Sequence, residues 1–369
     1  MMKKARVLIV DDSVVVRRIL CDVVSTEPDL EVAGYASNGR LGLDRIPQVN
    51  PDLVVLDLEM PVMDGLQALS AIRRDWPKLP VIMYSSLTLK GASATLDALA
   101  MGASDYLTKP NRIVSPSEAI RQVREALIPR IRSLCLPRGG NPGPPGVSKQ
   151  AIKSSQEGGR QIELVAIGAS TGGPNALVDL LGGLPGGFPV PIAIVQHMPP
   201  IFTGMLAQRL TARTPIPTAE ATEGDRPTRG GALLAPGDHH MALQREGAEV
   251  VVRLNRGPQE NSCRPAVDVL FRTAAESYGP GVLAVVLTGM GQDGLRGAQE
   301  IRNQGGIVLA QDEASSVVWG MPGFVARAGL AEEVVPLSNL ANAITRRVAS
   351  SRPSSSATPP AMTEHARNP

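Results

Sequence analysis

Leu53-Val54-Val55-Leu56-Asp57 is a run of four large aliphatic residues that stops on a carboxylate. A short, unbroken apolar run is the pattern of a strand covered on both faces, as in a parallel sheet flanked by helices. The pattern recurs outward in both directions, with further strands expected over 5–10, 30–34, 79–84 and 104–107. Between them, apolar residues recur at helical spacing over 13–26, 39–47, 64–74, 91–101 and 116–134. Strict alternation of the two patterns predicts a doubly wound α/β domain over residues 1–136.

Residues 137–160 change character. They are rich in Gly, Pro and Ser and read as a flexible linker. A second βα alternation then predicts strands over 163–168, 190–196, 281–287, 306–310 and 334–335, with a hairpin region around 231–253 interrupting it. Residues 161–349 thus form a second doubly wound parallel-sheet domain with a β-hairpin insertion. The polar, Pro- and Ser-rich stretch 350–369 reads as a disordered tail.

Composition excludes several function classes. A formal net charge of +2 over 369 residues gives no basic stripe for nucleic acid. No apolar run approaches the ~18 residues that span a bilayer, and no direct membrane insertion is expected. The three cysteines, Cys21, Cys135 and Cys263, are scattered and odd in number. No disulfide framework follows, and a cytoplasmic location is expected.

In the first domain, Asp57 closes its strand as Asp11-Asp12 close the first, and both strand ends fall at the crevice where such sheets bind ligands. Clustered carboxylates raise one another's pKa unless a cation joins them, and Mg²⁺ suits such oxygen donors. Lys109, after the fifth strand, supplies a fixed positive charge. Ser85, ending the fourth, supplies a hydroxyl for a phosphoryl oxygen. Individually, each Asp could be a helix N-cap and Lys109 a solvated charge. The motifs Val10-Asp11-Asp12-Ser13, Leu56-Asp57-Leu58-Glu59-Met60-Pro61 through Met63-Asp64-Gly65, Ser85 and Thr108-Lys109-Pro110 resemble the receiver domain of two-component response regulators. The resemblance implies a flavodoxin-like fold and phosphorylation of Asp57 by a histidine kinase. It also implies Mg²⁺ held by Asp11, Asp12, Asp57 and the Glu59 carbonyl.

In the second domain, Leu164-Val165-Ala166-Ile167 runs into Gly168-Ala169-Ser170-Thr171-Gly172-Gly173-Pro174. The glycines permit a sharp strand-to-helix turn that exposes Ser170 as a nucleophile. Two readings stand beside it: an anion cradle at a helix N-terminus, and a structural turn. A serine hydroxyl needs a base, and His197 ends the next strand on the same edge. His239 and His240 enter the hairpin region, and His365 lies in the tail. Glycines after another strand carry Asp293 to that edge, as the orienting carboxylate for His197, with helix capping as its plain alternative. A backbone N–H near Met290 is the expected oxyanion donor. Cys263 has no glycine elbow and reads as a buried, inert thiol, with a thiol nucleophile as the rival reading. No zinc site is expected at His239-His240.

Residues 160–336 resemble the catalytic domain of the chemoreceptor protein-glutamate methylesterases. The resemblance rests on 168–173, Gln196-His197-Met198-Pro199, Ala235-Pro236-Gly237-Asp238, 288–294 and Gly320-Met321-Pro322-Gly323. It implies a Rossmann-like fold, a Ser170–His197–Asp293 triad without an esterase cofactor, and chemoreceptor cytoplasmic helices as substrate, with deamidation of receptor glutamines by the same triad. Ala266 stands where that family commonly has a serine, which bears on local helix capping. A response regulator with a purely binding output and a DNA-binding regulator are the competing classes. Loss of function in Ser170→Ala and salt-dependent DNA retention respectively separate them.

Overall fold

The computed structural model describes residues 4–110, 115–135 and 161–350. The linker expected over 137–160 and the tail from 351 lie outside them. Ser350, expected in the tail, is the last residue of a helix.

The first domain alternates without exception: β1 Ala5–Val10, α1 Val14–Ser25, β2 Leu30–Ala36, α2 Gly39–Val49, β3 Leu53–Asp57, α3 Gly65–Asp75, β4 Val81–Ser85, α4 Leu89–Ala100, β5 Asp105–Thr108 and α5 Pro116–Cys135. The five strands form one parallel sheet in the order β2-β1-β3-β4-β5. That order reverses between β1 and β3, so the residues following these two strands face a shared crevice. Leu8, Leu56 and Ile82 are fully buried, each worth about 1.5–3 kcal/mol of transfer from water. Local signals set the helix starts. Ser13 and Thr88 cap α1 and α4, and Asp64 with Gln67 forms a reciprocal capping box on α3.

The second domain contains β6 Leu164–Ala169, α6 Gly173–Gly182, β7 Ile192–Gln196, α7 Phe202–Arg213, β8 Thr218–Glu220, β9 Ala232–Leu234, β10 His240–Glu246, β11 Glu249–Asn255, α8 Val267–Tyr278, β12 Val282–Val286, α9 Leu295–Asn303, β13 Ile307–Gln311, α10 Met321–Arg327, β14 Glu333–Val335 and α11 Leu337–Ser350. Seven strands form a parallel sheet in the order β14-β13-β12-β6-β7-β9-β8. The central strand β6 lies between β7 and β12, so the loops after all three meet at one carboxyl edge.

The hairpin region expected over 231–253 divides in two. Its first part, β9, joins the main sheet in parallel beside β7. The true hairpin is β10–β11, which turns at Gly247 with φ +62. Strand β8 was not expected. Strands expected from 79 and 190 begin later, at Val81 and Ile192. Pro80 and Pro191 just before them have no amide to give a ladder.

Candidate phosphoryl-acceptor and hydrolase sites

In the receiver-like domain, β3 delivers Asp57 and β1 delivers Asp11 to the crevice, 2% and 1% exposed. Lys109, just past β5, reaches across to both. Its Nζ lies 2.8 Å from Asp57 Oδ1 and 3.2 Å from Asp11 Oδ2. Burial pushes the Asp57 carboxyl up to about 6 and the neighbouring Asp11 charge adds to this, against the opposing Lys109 hydrogen bond. The Lys109 ammonium is itself raised: burial opposes its charge, but the two carboxylates outweigh it.

Asp57 Oδ2 is buried with no hydrogen-bond partner among the described residues, and Asp11 Oδ2 meets the Lys109 ammonium alone. Carboxylate oxygens of Asp11, Asp12 and Asp57 lie within 4.8 Å of one another. An orphaned hard oxygen within a cluster of three carboxylates fits a divalent cation such as Mg²⁺. Glu59 takes part through its backbone, whose N–H hydrogen-bonds the Asp57 carboxylate; its side chain is exposed, 3.9 Å from Lys90. Ser85 is buried at the end of β4, its hydroxyl 2.8 Å from that of Thr95 on α4. A group acting on Ser85 therefore acts on α4.

In the second domain, Ala169 and Gln196 pair at the ends of β6 and β7, which puts Ser170 and His197 side by side one residue further on. Adjacent strands are about 4.8 Å apart. Three bonds fix the pair. Ser170 N–H donates to the Thr288 carbonyl, His197 N–H to the Ala169 carbonyl, and the Gln196 side-chain amide to the Ser170 carbonyl. A Cβ on Gly289 would stand 2.8 Å from Ser170 Cβ, so only glycine lets the turn after β12 approach the serine this closely. Among the described residues, the N–H groups of Met290 and Thr171 have no acceptor; Thr171 follows Ser170 in the chain, and Met290 follows Gly289, which packs on Ser170.

His197 Nε2 lies 2.8 Å from Asp293 Oδ2. Both carboxylate oxygens of Asp293 also cap α8: Oδ2 accepts from Val267 N–H at 2.6 Å and Oδ1 from Asp268 N–H at 3.0 Å. Asp293 thus both orients the histidine and caps a helix, but of α8 and not of the helix that follows it. Its acid partly replaces the cap that Ala266 lacks. Burial raises the Asp293 carboxyl, but the His197 bond and the α8 amides outweigh it and hold it low. Asn261, which the sequence did not single out, donates to Asp293 Oδ1 at 3.0 Å and Asp268 Oδ2 at 2.9 Å. It bridges two acids that would otherwise repel. Burial, then the Asp293 charge, raises the Asp268 carboxyl.

With Nε2 engaged, Nδ1 is the His197 nitrogen left for proton transfer. It faces Cys263 Sγ at 3.5 Å, while the Ser170 hydroxyl has no hydrogen-bond partner among the described residues. The expectation of a buried Cys263 is corrected: the thiol is half-buried and touches the imidazole. Burial pulls the His197 pKa down, yet the bonds to Asp293 and Cys263 more than compensate and raise it.

His239 and His240 are structural. Ala266 N–H donates to His240 Nδ1 while His240 Nε2 meets the Pro258 carbonyl, and Arg256 donates to His239 Nε2. Arg264 is bound to Asp238 at 2.6 Å and to the Gly257 carbonyl, so its guanidinium is committed to holding the loop.

The two domains meet beside the Ser170 loop. Thr171 Oγ1 donates to Asp105 Oδ2 at 2.7 Å, the Asn175 amide to the Leu99 carbonyl at 2.6 Å, and Arg209 to Asp97 at 2.9 Å. The Tyr106 ring stacks on Phe202 with centroids 5.0 Å apart. Leu96, Leu99 and Tyr106 share one buried apolar cluster with Phe202 and Leu206.

Residues 165–344 match the CheB methylesterase family, and residues 7–121 match response regulator receiver domains. The chain is 52% identical over 351 residues to a protein-glutamate methylesterase/protein-glutamine glutaminase of Trichodesmium erythraeum, covering 94% of this chain and 100% of that one. It is 52% identical over 358 residues to the protein of the same description in a Nocardioides species, covering 95% and 97%. The CheB methylesterase catalytic domain of Thermotoga maritima, a crystal structure, superposes with a TM-score of 0.50 at 40% identity, covering 51% of this chain and 100% of that chain.

Proposed function

This chain belongs to the family of receiver-linked protein-glutamate methylesterases/protein-glutamine glutaminases, and from that premise we propose how its residues carry out and control the hydrolysis. The enzyme is a phosphorylation-regulated methylesterase of chemotaxis. It cleaves γ-glutamyl methyl esters on the cytoplasmic helices of chemoreceptors and releases methanol. Ser170 Oγ attacks the ester carbonyl as His197 Nδ1 takes its proton. Asp293 stabilises the imidazolium through Nε2, and the Met290 N–H, with that of Thr171, receives the oxyanion. His197 then returns the proton to the departing methoxide. Water cleaves the acyl-enzyme with His197 as base. The same groups deamidate receptor glutamines, releasing ammonia.

The observation that carries this reading is His197 held through Nε2 by a buried carboxylate, 2.8 Å away, on the strand edge it shares with Ser170. A phosphate cradle or a structural turn has no use for an oriented imidazole there.

A histidine kinase phosphorylates Asp57. Asp11, Asp12, Asp57 and the Glu59 carbonyl would hold Mg²⁺, which would supply charge neutralisation for the phosphoryl group. Drawing Ser85 and Lys109 toward that group releases Thr95, and with it α4, whose contacts hold the receiver beside the Ser170 loop. The protein acts in the cytoplasm; among the described residues no helix is long and apolar enough to cross a membrane.

The test is methanol release from methylated receptor membranes by wild type and Ser170→Ala. Release that vanishes in the variant supports the reading. Release that persists moves the output to a binding role. A chain lacking residues 1–136 with equal or lower activity than the unphosphorylated wild type would remove the inhibitory role of the receiver.

A further inference from the structure

Cys263 has no part in the hydrolysis, yet its sulfur sits on the one imidazole nitrogen that the hydrolysis needs. The Sγ to Nδ1 separation is 3.5 Å. A tetrahedral zinc ion with a thiolate at about 2.3 Å and an imidazole at about 2.0–2.1 Å keeps those two ligand atoms about 3.6 Å apart. The pair is therefore already spaced as ligands of one soft cation.

A second observation is independent of the cysteine. Metal-binding histidines almost always donate the far ring N–H to a carboxylate, a backbone carbonyl or water, which fixes the tautomer and makes the near nitrogen more basic. Asp293 does this here, at 2.8 Å from Nε2. It is itself locked by the Val267, Asp268 and Gly294 amides and by Asn261. Ligand atoms of His197, Cys263 and Asp293 lie within 4.8 Å of one another. Asp293 serves behind the ring, since its Oδ2 is taken by Nε2. Ser170, on the neighbouring strand end, brings an oxygen to the same edge, and water completes the shell.

We propose that Cys263 and His197 form a binding site for a thiophilic divalent cation, Zn²⁺ above all, and that its occupation switches the esterase off. Binding replaces the thiol proton, which leaves to solvent, and puts the metal on the His197 Nδ1 lone pair. The imidazole then cannot accept the Ser170 proton. Softness sets the selectivity: Mg²⁺ prefers the hard oxygens of the receiver site, while the thiolate selects zinc. The inhibitory half rests on His197 being the base; the binding half does not.

The experiment uses the full-length chain with saturating Mg²⁺, so that the receiver carboxylates do not compete. Zn²⁺ affinity is measured by competition with a chromophoric chelator for wild type, Ser170→Ala and Cys263→Ala. Methanol release is followed in parallel for wild type and Cys263→Ala, each against its own metal-free rate and after addition of EDTA. The expected result is one strong site in wild type and in Ser170→Ala, at least about tenfold weaker in Cys263→Ala. Zn²⁺ inhibition of wild type should reverse with EDTA and shift by the same factor in Cys263→Ala. No Zn²⁺ binding by wild type, or equal binding and inhibition in Cys263→Ala, overturns the proposal. Binding that depends on Cys263 without inhibition overturns its regulatory half. Absence of methanol release from every metal-free protein would instead condemn the esterase reading and leave the titration to judge the site alone.

Discussion

Replacing Asp105 by alanine should turn the unphosphorylated enzyme on. Asp105 opens β5, at the end of the strand away from Lys109 and the phosphoryl site, yet its Oδ2 accepts the Thr171 hydroxyl from the Ser170 loop at 2.7 Å. A hydrogen bond to a charged acceptor is worth about 1.5–3 kcal/mol net, and this one exists only while the domains are docked. At about 1.4 kcal/mol per decade, its loss shifts the docking equilibrium about tenfold to a hundredfold toward the open form. The basal rate of methanol release should rise by that factor, or until it reaches the phosphorylated wild-type rate. The remaining contacts, the Tyr106–Phe202 stack and the Asn175 and Arg209 bonds, keep the gain from exceeding it. Arg130 also loses its Asp105 partner, so thermal unfolding is recorded alongside. Thr171→Val supplies the second arm of a double-mutant cycle. In that background Asp105→Ala should add little, because the bond is already gone. A folded Asp105→Ala enzyme with an unchanged basal rate, or equal additive effects of the two substitutions, would refute this account of the latch.

Three further outcomes follow from the same geometry. Gly289→Ala would put a methyl group 2.8 Å from Ser170 Cβ; the displaced serine should cost about a hundredfold in methanol release, while a release within twofold of wild type would contradict the close approach. Asn261→Ala removes the donor shared by Asp268 and Asp293 and should slow turnover about tenfold, read as kcat on receptor membranes. Asp57→Asn should stabilise the metal-free receiver. The carboxyl raised from 3.8 to about 6 disfavours its own ionisation in the fold. The cost is fully present above pH 6, at most about 3 kcal/mol, and disappears as pH falls below 3.8. Urea midpoints with EDTA should therefore differ at pH 7.5 and converge near pH 4; a gap independent of pH would contradict the assignment.

Both sheets were legible because their central strands β3, β6, β7 and β12 are short aliphatic runs that lead into residues chemistry can use. Asp57, Ser170 and His197 lie at or just past a strand's carboxyl end, and Asp293 lies in the loop that follows β12 at the same edge, where the strand order of each sheet makes neighbours of distant residues. Strands β8 and β9 are three residues each, too short for any periodicity, so β9 was read as part of the hairpin beside it. Ala266 announced a missing cap, and Asp293 was found supplying it to the Val267 N–H from 26 residues further along the chain. Asn261 was missed, and Cys263 was set aside as inert, for a different reason. Their loop carries two successive residues with left-handed backbones, Asn261 at φ +51 and Ser262 at φ +61, and neither is a glycine that would have marked the turn. The docking of α4 and β5 beside the Ser170 loop is a long-range contact made by a few hydrogen bonds, one stacked pair and an apolar patch around Leu96 and Leu99. No local pattern encodes such a contact.

The central claim is that a phosphoryl group on Asp57 controls hydrolysis at Ser170 within one chain. It is tested most directly by methanol release from methylated receptor membranes, with and without a small phosphodonor and Mg²⁺, by wild type and Asp57→Asn side by side. The account predicts a rise with phosphodonor in wild type and the same low rate in Asp57→Asn under both conditions. A phosphodonor response that survives in Asp57→Asn, or none in a wild type shown to be phosphorylated, would contradict it.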